Sequence, residues 1–417
     1  MYYDSSNQRD TYKLLEQITT GKFKSGTEFL SNLINEVVKH EEFKITGGRM
    51  WELNPDGKSY TLKYQHGNVR HIPDNYTILI KDHPILEDLV TVRTKLNYEN
   101  DPVLLETGIL VYSVTGVGEI IKTSNGKFYQ YVLGFNAPEI LQSFYETLSI
   151  ISSLGTVTLR GLVSEQVQKK MQRDIDKAAE IQRNLLPEHY MEFHDYKIFG
   201  ACIPDSEVGG DYFDYLKNMD DEEERLGVLI CDASSKGLPA AIQALFVSGA
   251  VKMAQVFSPK MSSLFSRLNT LVFETFPYER FVTLFYCELS LTSNRLVLYA
   301  NAGHCSPIHY RPDKDSVSLL EPTGGLLGIV KNQKFKVENL IMRPGDILAL
   351  YTDGINEAQT AAGEFFGEQR IIDIIRENKD DSPRDIALKI IEEVQKFATD
   401  TPYTDDRTVI IIKRDKK

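Results

Sequence analysis

The chain has 417 residues, which is long for a single hydrophobic core, so its length favours two or three domains. Hydrophobic residues make up 42% of the sequence and charged residues 25%, the balance of a folded globular protein. The formal net charge of -12 argues against a broad basic surface for nucleic acid or for anionic lipid.

Signals for export, membrane insertion or metal-thiolate sites are missing from the sequence. It opens Met1-Tyr2-Tyr3 without a basic and then apolar segment, and no uninterrupted apolar run approaches the length that spans a bilayer. The four cysteines form no CxxC pair, so neither a disulfide framework nor a structural zinc site is indicated. We therefore expect a cytoplasmic protein with no membrane span.

The first 160 residues alternate between helical and strand patterns. Residues 24–38 place apolar side chains at helical spacing, and helical periodicity returns after Pro138. Strand patterns lie between them, near Trp51 and over 60–64, 108–114 and 128–133, with turn signals at 54–57 and 125–126. This order predicts an α+β domain and resembles a GAF-type sensor domain, whose pocket in other members can hold a small ligand. A ligand-free dimerisation module of the same shape is the alternative.

Residues 161–190 are predicted to form a helical linker that ends at Pro187. Apolar side chains recur at spacings of four and three, with Asp174 as a polar exception, at Val167, Met171, Ala178, Ile181 and Leu185. Such a heptad-like seam predicts a two-stranded coiled coil and therefore a homodimer. The alternative is a helix that packs on its own catalytic domain.

Residues 191–417 alternate strand and helix patterns and are predicted to form a second α+β domain. Strands are expected over 197–203, 226–231, 281–289, 295–300, 346–351 and 409–413. Helices are expected over 239–256, 261–273, 369–377 and 383–397. The acidic run 220–224 between two strands is interpreted as a solvated hairpin tip.

Aspartates stand at the ends of several of these strands, each beside a turn-forming residue, at Asp211, Asp232, Asp353, Asp405 and Asp406. One such aspartate alone is better explained as a turn or cap residue. A set of carboxylates at buried strand ends needs compensation for lost hydration and mutual repulsion. Oxygen ligands without histidine or thiolate favour Mg²⁺ or Mn²⁺. Two such ions about 4 Å apart, sharing one carboxylate, would suit phosphoryl chemistry.

A family resemblance covers the chain from about residue 177 to its end. The matching segments, in order, are AAEIQRNLLP, VGGDYFD, CDASSKGLPAA, FVTLFY, NAGHCSP, TGGLLGI, LYTDGINEA, GEFFG and TDDRT. They resemble the metal-dependent protein phosphatases (PPM, type 2C), and within them the SpoIIE/RsbU-like branch of partner-switching regulation. The resemblance implies an α/β/β/α sandwich and a phosphoserine or phosphothreonine hydrolase.

The resemblance also implies a role for particular residues. Asp232 would bind both of two divalent cations, Mn²⁺ or Mg²⁺, and the backbone carbonyl of Ala233 would join it at one of them. Asp353 and Asp405 would bind the other ion. Asp211 would lie at the first ion, directly or through water. A single in-line displacement at phosphorus would follow, without a phosphoenzyme.

Two features near these ligands carry further expectations. The family usually has glycine where this chain has Ser235, so a positive φ there would strain the serine by about 1 kcal/mol. Gly354 would let the backbone turn sharply after Asp353. Asn301, Gly303 and His304 belong to a family loop, and a structural hydrogen-bonding role is expected for His304.

The partners implied by the resemblance are regulatory. The substrate would be a small phosphoprotein, a STAS-type anti-sigma-factor antagonist, and a small-molecule or protein signal would act on the N-terminal domain. A catalytically silent scaffold that binds the partner without hydrolysis is the alternative.

A competing motif runs from His304 to Arg311. Its HCx5R spacing matches cysteine-based tyrosine phosphatases, which need a thiolate held by backbone N–H groups. The segment between Cys305 and Arg311 has no glycine, and Pro307 lacks an N–H. A hairpin that turns at Pro312-Asp313 is the better interpretation.

Overall fold

The computed structural model describes residues 16, 18, 21–68, 71–98, 106, 111–137, 139–140, 142–218, 224–277, 279–290, 296–399, 401 and 405–415. The chain divides into two compact units, residues 1–171 and 172–417. The boundary lies within one long helix, and each unit is described by itself below.

The N-terminal unit is built on an antiparallel sheet. Its elements in chain order are α1 (Gly26–Lys39), β1 (Gly47–Leu53), β2 (Ser59–Gly67), β3 (Thr77–Leu79), α2 (Ile85–Asp88), β4 (Thr94–Tyr98), β5 (Val111–Thr123), β6 (Gly126–Asn136) and α3 (Gln142–Leu185). The six strands pair in the order β3-β2-β1-β6-β5-β4. Helix, antiparallel strands and closing helix confirm the α+β prediction for this region.

The long helix α3 gives the N-terminal unit much of its core. Phe144, Leu148 and Ile151 are buried against the sheet beside Phe29 and Leu33 of α1. By length and composition alone, α3 is the one helix among the described residues that could cross a membrane, and a third of its apolar stretch is buried. Packing on the sheet accounts for the buried part of that stretch, which includes Phe144, Leu148 and Ile151.

The C-terminal unit contains two sheets and flanking helices. Its strands are β7 (Tyr190–Phe193), β8 (Tyr196–Ile203), β9 (Tyr212–Asn218), β10 (Arg225–Ala233), β11 (Val282–Ser290), β12 (Leu296–Ala302), β13 (Ile308–Arg311), β14 (Ser316–Leu319), β15 (Glu338–Ile341), β16 (Ile347–Tyr351) and β17 (Arg407–Arg414). Its helices are α4 (Leu238–Gln255), α5 (Met261–Thr275), α6 (Asp353–Asn356), α7 (Gly367–Glu377) and α8 (Pro383–Phe397).

The two sheets pack face to face between two pairs of helices. One sheet has the order β15-β12-β11-β10-β9 and the other β14-β13-β16-β17-β8-β7. Side chains of β10 alternate, with Val228 and Ile230 in the core between the sheets and Leu229 under α4 and α5. On β17, Ile410 faces the same central core and Ile411 lies under α7 and α8. The α/β/β/α sandwich is confirmed.

Two sequence predictions concern the segments around the sandwich. Most of the acidic run 220–224 lies outside the described residues, and its flanking strands β9 and β10 pair antiparallel as a hairpin requires. In α3 the predicted seam residues Val167, Met171 and Ile181 are exposed. The coiled coil that these residues would form with a second chain stays a prediction.

Candidate active site

Four predicted aspartates lie at corresponding strand ends of the sandwich. Asp211 directly precedes β9, and Asp232 is near the end of its antiparallel neighbour β10. Asp353 follows β16 by two residues, and Asp405 precedes the antiparallel neighbour β17 by two. Because the end of one antiparallel strand lies beside the start of the next, each sheet presents its two carboxylates at one edge.

Asp211 is held by hydroxyl groups from the opposite sheet. Its side chain is almost fully buried, and its Oδ2 accepts hydrogen bonds from Thr352 Oγ1 at 2.7 Å and Thr408 Oγ1 at 2.6 Å. Thr408 N also donates to Thr352 Oγ1 at 3.0 Å. The two threonines therefore fix the Asp211 carboxylate in one orientation. Sequence reasoning missed both, although they stand inside the segments LYTDG and TDDRT.

Asp406 organises the loop that carries Asp211. Its Oδ1 accepts from the backbone N–H of Asp205 at 2.7 Å, and its Oδ2 accepts from the N–H groups of Gly210 and Asp211. A Cβ on Gly209 would lie only 2.6 Å from the same carboxylate, so glycine is required at that close approach. Asp406 is thus a structural anion beside the candidate ligand Asp405.

The candidate carboxylates lie close enough together for the negative charge of one to raise the pKa of another. Burial raises the pKa of Asp232 to about 9, helped by the negative charges of Asp211, Asp353, Asp405 and Asp406. Burial first, then the charge of Asp406, raises the pKa of Asp211 well above its usual range. Burial and the charge of Asp405 also raise the pKa of Asp353. A cluster of this kind is stabilised by positive charge.

The donor chemistry of the cluster fits hard divalent cations. Every candidate donor is an oxygen atom, which suits Mg²⁺ or Mn²⁺. Within the described ranges, however, no three His, Cys, Asp or Glu side chains already converge as the ligands of one ion. The carboxylates interact electrostatically, and their side chains do not form a closed ligand shell in this conformation.

A cleft of about 340 Å³ opens beside Asp353 and Asp405. Lys236 and Arg407 also line it, and Lys236 Nζ lies 3.1 Å from Asp405 Oδ2. Access from solvent thus leads directly to two of the candidate ligands. Lys236 lies in the segment CDASSKGLPAA, but the sequence pattern predicted no role for it.

The expected roles of Ser235 and Gly354 need correction. Ser235 does not have a positive φ, so the predicted strain is absent there, and its Oγ donates to Gln243 Oε1 at 3.0 Å. Gly354 has no positive φ either, and it begins the first turn of α6 with Asp353. Its need for glycine is steric, because a Cβ there would lie 2.0 Å from the backbone oxygen of Asp406.

The hydrogen-bonding role predicted for His304 is confirmed. The ring is buried, its Nδ1 lies 2.8 Å from Thr283 Oγ1, and its backbone N–H donates to Asn301 Oδ1 at 2.8 Å. Burial lowers the pKa of His304 to about 4, so the ring is neutral near pH 7. Asn301 Nδ2 closes the same loop by donating to the His304 carbonyl at 3.1 Å. Gly303 has φ +66, which favours glycine.

The environment of Cys305 does not suit a nucleophilic thiolate. Burial raises the pKa of its thiol to about 12, with further contributions from Asp353 and Asp232. The flanking strands β13 and β14 form the predicted hairpin. The raised thiol pKa and the hairpin do not match the features of a cysteine-based phosphatase site.

The end of helix α3 contacts the loop before Asp211. Gln182 is buried, and its amide forms two hydrogen bonds with Gly209: Nε2 donates to the carbonyl at 2.6 Å, and Oε1 accepts from the N–H at 3.1 Å. The carbonyl of Leu185 accepts from Lys252 Nζ at 3.4 Å, and the same Nζ lies 3.0 Å from Asp214 Oδ2. The helix end thus holds both the loop and α4.

Known proteins similar to this chain point to the same region. Residues 222–415 match the family profile of Stage II sporulation protein E (SpoIIE). Phosphoserine phosphatase RsbU of Bacillus subtilis (strain 168) is 26% identical over 257 residues, 62% of this chain and 73% of that protein. Phosphoserine phosphatase RsbP of the same strain is 25% identical over 60% of this chain and 59% of that protein.

A solved structure gives the fold of the C-terminal unit. The SiaA-PP2C domain of Pseudomonas aeruginosa superposes with a TM-score of 0.50 over 60% of this chain and 99% of that domain, at 21% identity. The fold and these matches define a protein phosphatase domain of the PP2C type. Within that class, residues 222–415 of this chain are similar to the SpoIIE family.

Proposed function

We propose that this chain is a metal-dependent protein serine/threonine phosphatase whose activity is controlled by its N-terminal unit. The observation that carries the proposal is the carboxylate neighbourhood formed by Asp211, Asp232, Asp353 and Asp405 at one edge of each sheet. A partly buried acidic cluster with all-oxygen donors is suited to divalent cations and to phosphoryl chemistry.

The proposed ligands divide between the two sheets. Asp232, Asp211 and the carbonyl of Ala233 would hold one Mn²⁺ or Mg²⁺, and Asp353, Asp405 and the shared Asp232 would hold the other. When bound, the cations supply Lewis-acid activation of water and neutralise the charge of the phosphate. The protein orients Asp211 through its two threonine hydroxyls and places the cleft beside Asp353 and Asp405.

The substrate class is proposed from the relatives. Two of them are named phosphoserine phosphatases. We propose phosphoserine or phosphothreonine on a small regulatory protein, a STAS-type anti-sigma-factor antagonist, in the cytoplasm. The overall charge of -12 makes a large basic nucleic-acid surface a poor fit to this chain.

The proposed control runs through α3. A GAF-like sensor would change the packing of this helix, and the contacts of its end with Gly209 and Lys252 support a route to Asp211. A cavity of about 50 Å³, lined in part by Arg49, Trp51 and Asn136, is the proposed ligand entry point in the N-terminal unit. A volume of that size admits only a few heavy atoms unless its walls move. Dimerisation through the exposed seam is a further part of this proposal.

The test is hydrolysis of a phosphoserine peptide by the full chain in Mn²⁺. We expect turnover that chelation abolishes and that Asp232→Asn reduces by at least about 10³-fold, since the shared ligand is lost. Asp380→Asn, which changes a carboxylate outside the site, serves as the matched control. Binding of the phosphoprotein without turnover, with Mn²⁺ bound, would instead support the silent scaffold.

A further inference from the structure

Lys236 places a positive charge at the entrance of the acidic site. It follows Asp232 by four residues, in the loop between β10 and α4, and its side chain is 65% exposed. Its Nζ lies 3.1 Å from Asp405 Oδ2, and it lines the same cleft as Asp353. The ammonium group is therefore both in contact with the carboxylate cluster and open to solvent.

Stability does not explain this ion pair. Asp405 is itself 40% exposed, and pairs between exposed side chains contribute little to stability because water screens them. A lysine whose Nζ contacts one carboxylate through an exposed, flexible side chain can leave it at little cost. The position therefore suits a change of partner during function.

The phosphate group of the substrate gives Lys236 a reason to leave Asp405. A phosphoserine carries a dianionic phosphate, and the carboxylates around the cleft repel it on approach. Lysine is a mobile point charge that binds phosphate through up to three N–H donors. Once divalent cations engage Asp405, its charge is no longer available to Lys236, and the incoming dianionic phosphate offers the ammonium group a new partner.

We propose that Lys236 is a phosphate-binding residue of this site, paired with Asp405 at rest and with the phosphate of the substrate in the complex. The exchange is one of ion pairs and breaks no covalent bond. This inference rests on the proposed phosphatase function and adds the residue that recognises the phosphate group.

Steady-state kinetics of the full chain in saturating Mn²⁺, with a phosphoserine peptide, test the role. Lys236→Met keeps most of the length of the side chain and removes its charge. We expect KM to rise about 10- to 100-fold, the range for one charged hydrogen bond, with kcat changed much less. The inhibition constant of inorganic phosphate should rise by a similar factor, and Lys236→Arg should restore much of both values.

Lys331→Met is the matched control, because Lys331 is also an exposed lysine in an ion pair, 3.9 Å from Glu274, outside the cleft. Its KM and phosphate inhibition should equal those of the wild type. Equal values in Lys236→Met would overturn the proposal. So would tighter Mn²⁺ binding in that variant with unchanged KM, since Lys236 would then only compete with the cations.

A binding measurement separates this inference from the proposed function. Calorimetric titration of inorganic phosphate into the Mn²⁺-loaded full chain requires no turnover. Weaker binding by Lys236→Met than by wild type and Lys331→Met supports the role even in a chain that hydrolyses nothing. Equal phosphate affinities in all three proteins reject it, whatever the activity.

Discussion

At the scale of single residues, a close contact at Gly354 limits which side chains the site tolerates. Gly354 lies so close to the Asp406 carbonyl that an added methyl group would sit 2.0 Å from the oxygen. Neither partner is a flexible side-chain end, so the contact can be relieved only by moving the backbone that carries Asp353 or Asp405. Glycine is needed at position 354 because of a residue far away in the sequence. The sequence alone therefore suggested a different reason, a sharp turn of the backbone after Asp353.

Gly354→Ala should therefore lower both stability and Mn²⁺ affinity. We expect a loss of about 1–3 kcal/mol in the free energy of unfolding, the range for overpacked cores, measured by urea denaturation. Gly249→Ala is the control, since a Cβ on that glycine of α4 meets nothing within 4 Å. It should be neutral or stabilising by up to about 1 kcal/mol. Equal stability and Mn²⁺ affinity in the two variants would contradict the steric explanation.

His304 makes a pH-dependent contribution to stability. Its pKa falls from an ordinary 6.5 to about 4 in the folded protein because burial disfavours the charged ring. The folded state thus excludes a proton that the unfolded chain accepts. The contribution is complete above pH 6.5 and is lost as the pH falls towards 4.

His304→Gln should reduce this acid sensitivity. Between pH 6.5 and pH 4, the wild type should lose stability relative to the variant by about 1 kcal/mol per pH unit. Denaturant unfolding of both proteins in the presence of chelator, at several pH values, measures the difference. Parallel stability curves across that range would show that the buried ring does not exclude the proton.

At the scale of elements, α3 is the part of the chain with the most separate tasks. Its N-terminal half packs on the sheet of the first unit through Phe144 and Leu148, and its C-terminal end binds Gly209 through Gln182. Heptad spacing predicted a coiled-coil seam, and Val167 and Met171 of that seam are exposed in the single chain, so the coiled coil stays a prediction. The same spacing could not show that Gln182 faces inwards, because its partner is a backbone group of another segment.

Gln182→Ala should weaken the site without changing its ligands. The substitution leaves a buried N–H and a buried carbonyl of Gly209 unpaired, at about 1–3 kcal/mol for each group. We expect a lower Mn²⁺ affinity and a lower kcat than in Gln168→Ala, which changes an exposed glutamine of the same helix. Phosphatase kinetics with Mn²⁺ titration measure both. Identical Mn²⁺ dependence in the two variants would remove α3 from the proposed route of control.

At the scale of the whole chain, the sequence predicted where the strands of the site lie and which aspartates belong to it. Alternating apolar residues located the strands that carry the site, and the family resemblance ordered their aspartates. The partners of those aspartates were not predictable, because Thr352 and Thr408 are 141 and 197 residues from Asp211 in the sequence. Such contacts depend on how two sheets face each other, which periodicity within one strand does not specify. The Lys236–Asp405 pair belongs to the same class.

Four carboxylates from two sheets are proposed to hold two divalent cations. An anomalous difference map from crystals of the full chain grown with Mn²⁺ tests this proposal most directly. We expect two peaks about 4 Å apart, both within ligand distance of Asp232. One of them should also contact Asp353 and Asp405, and Asp232→Asn crystals should lose at least one peak. Manganese peaks only at other acidic surfaces, or none at these aspartates, would contradict the account.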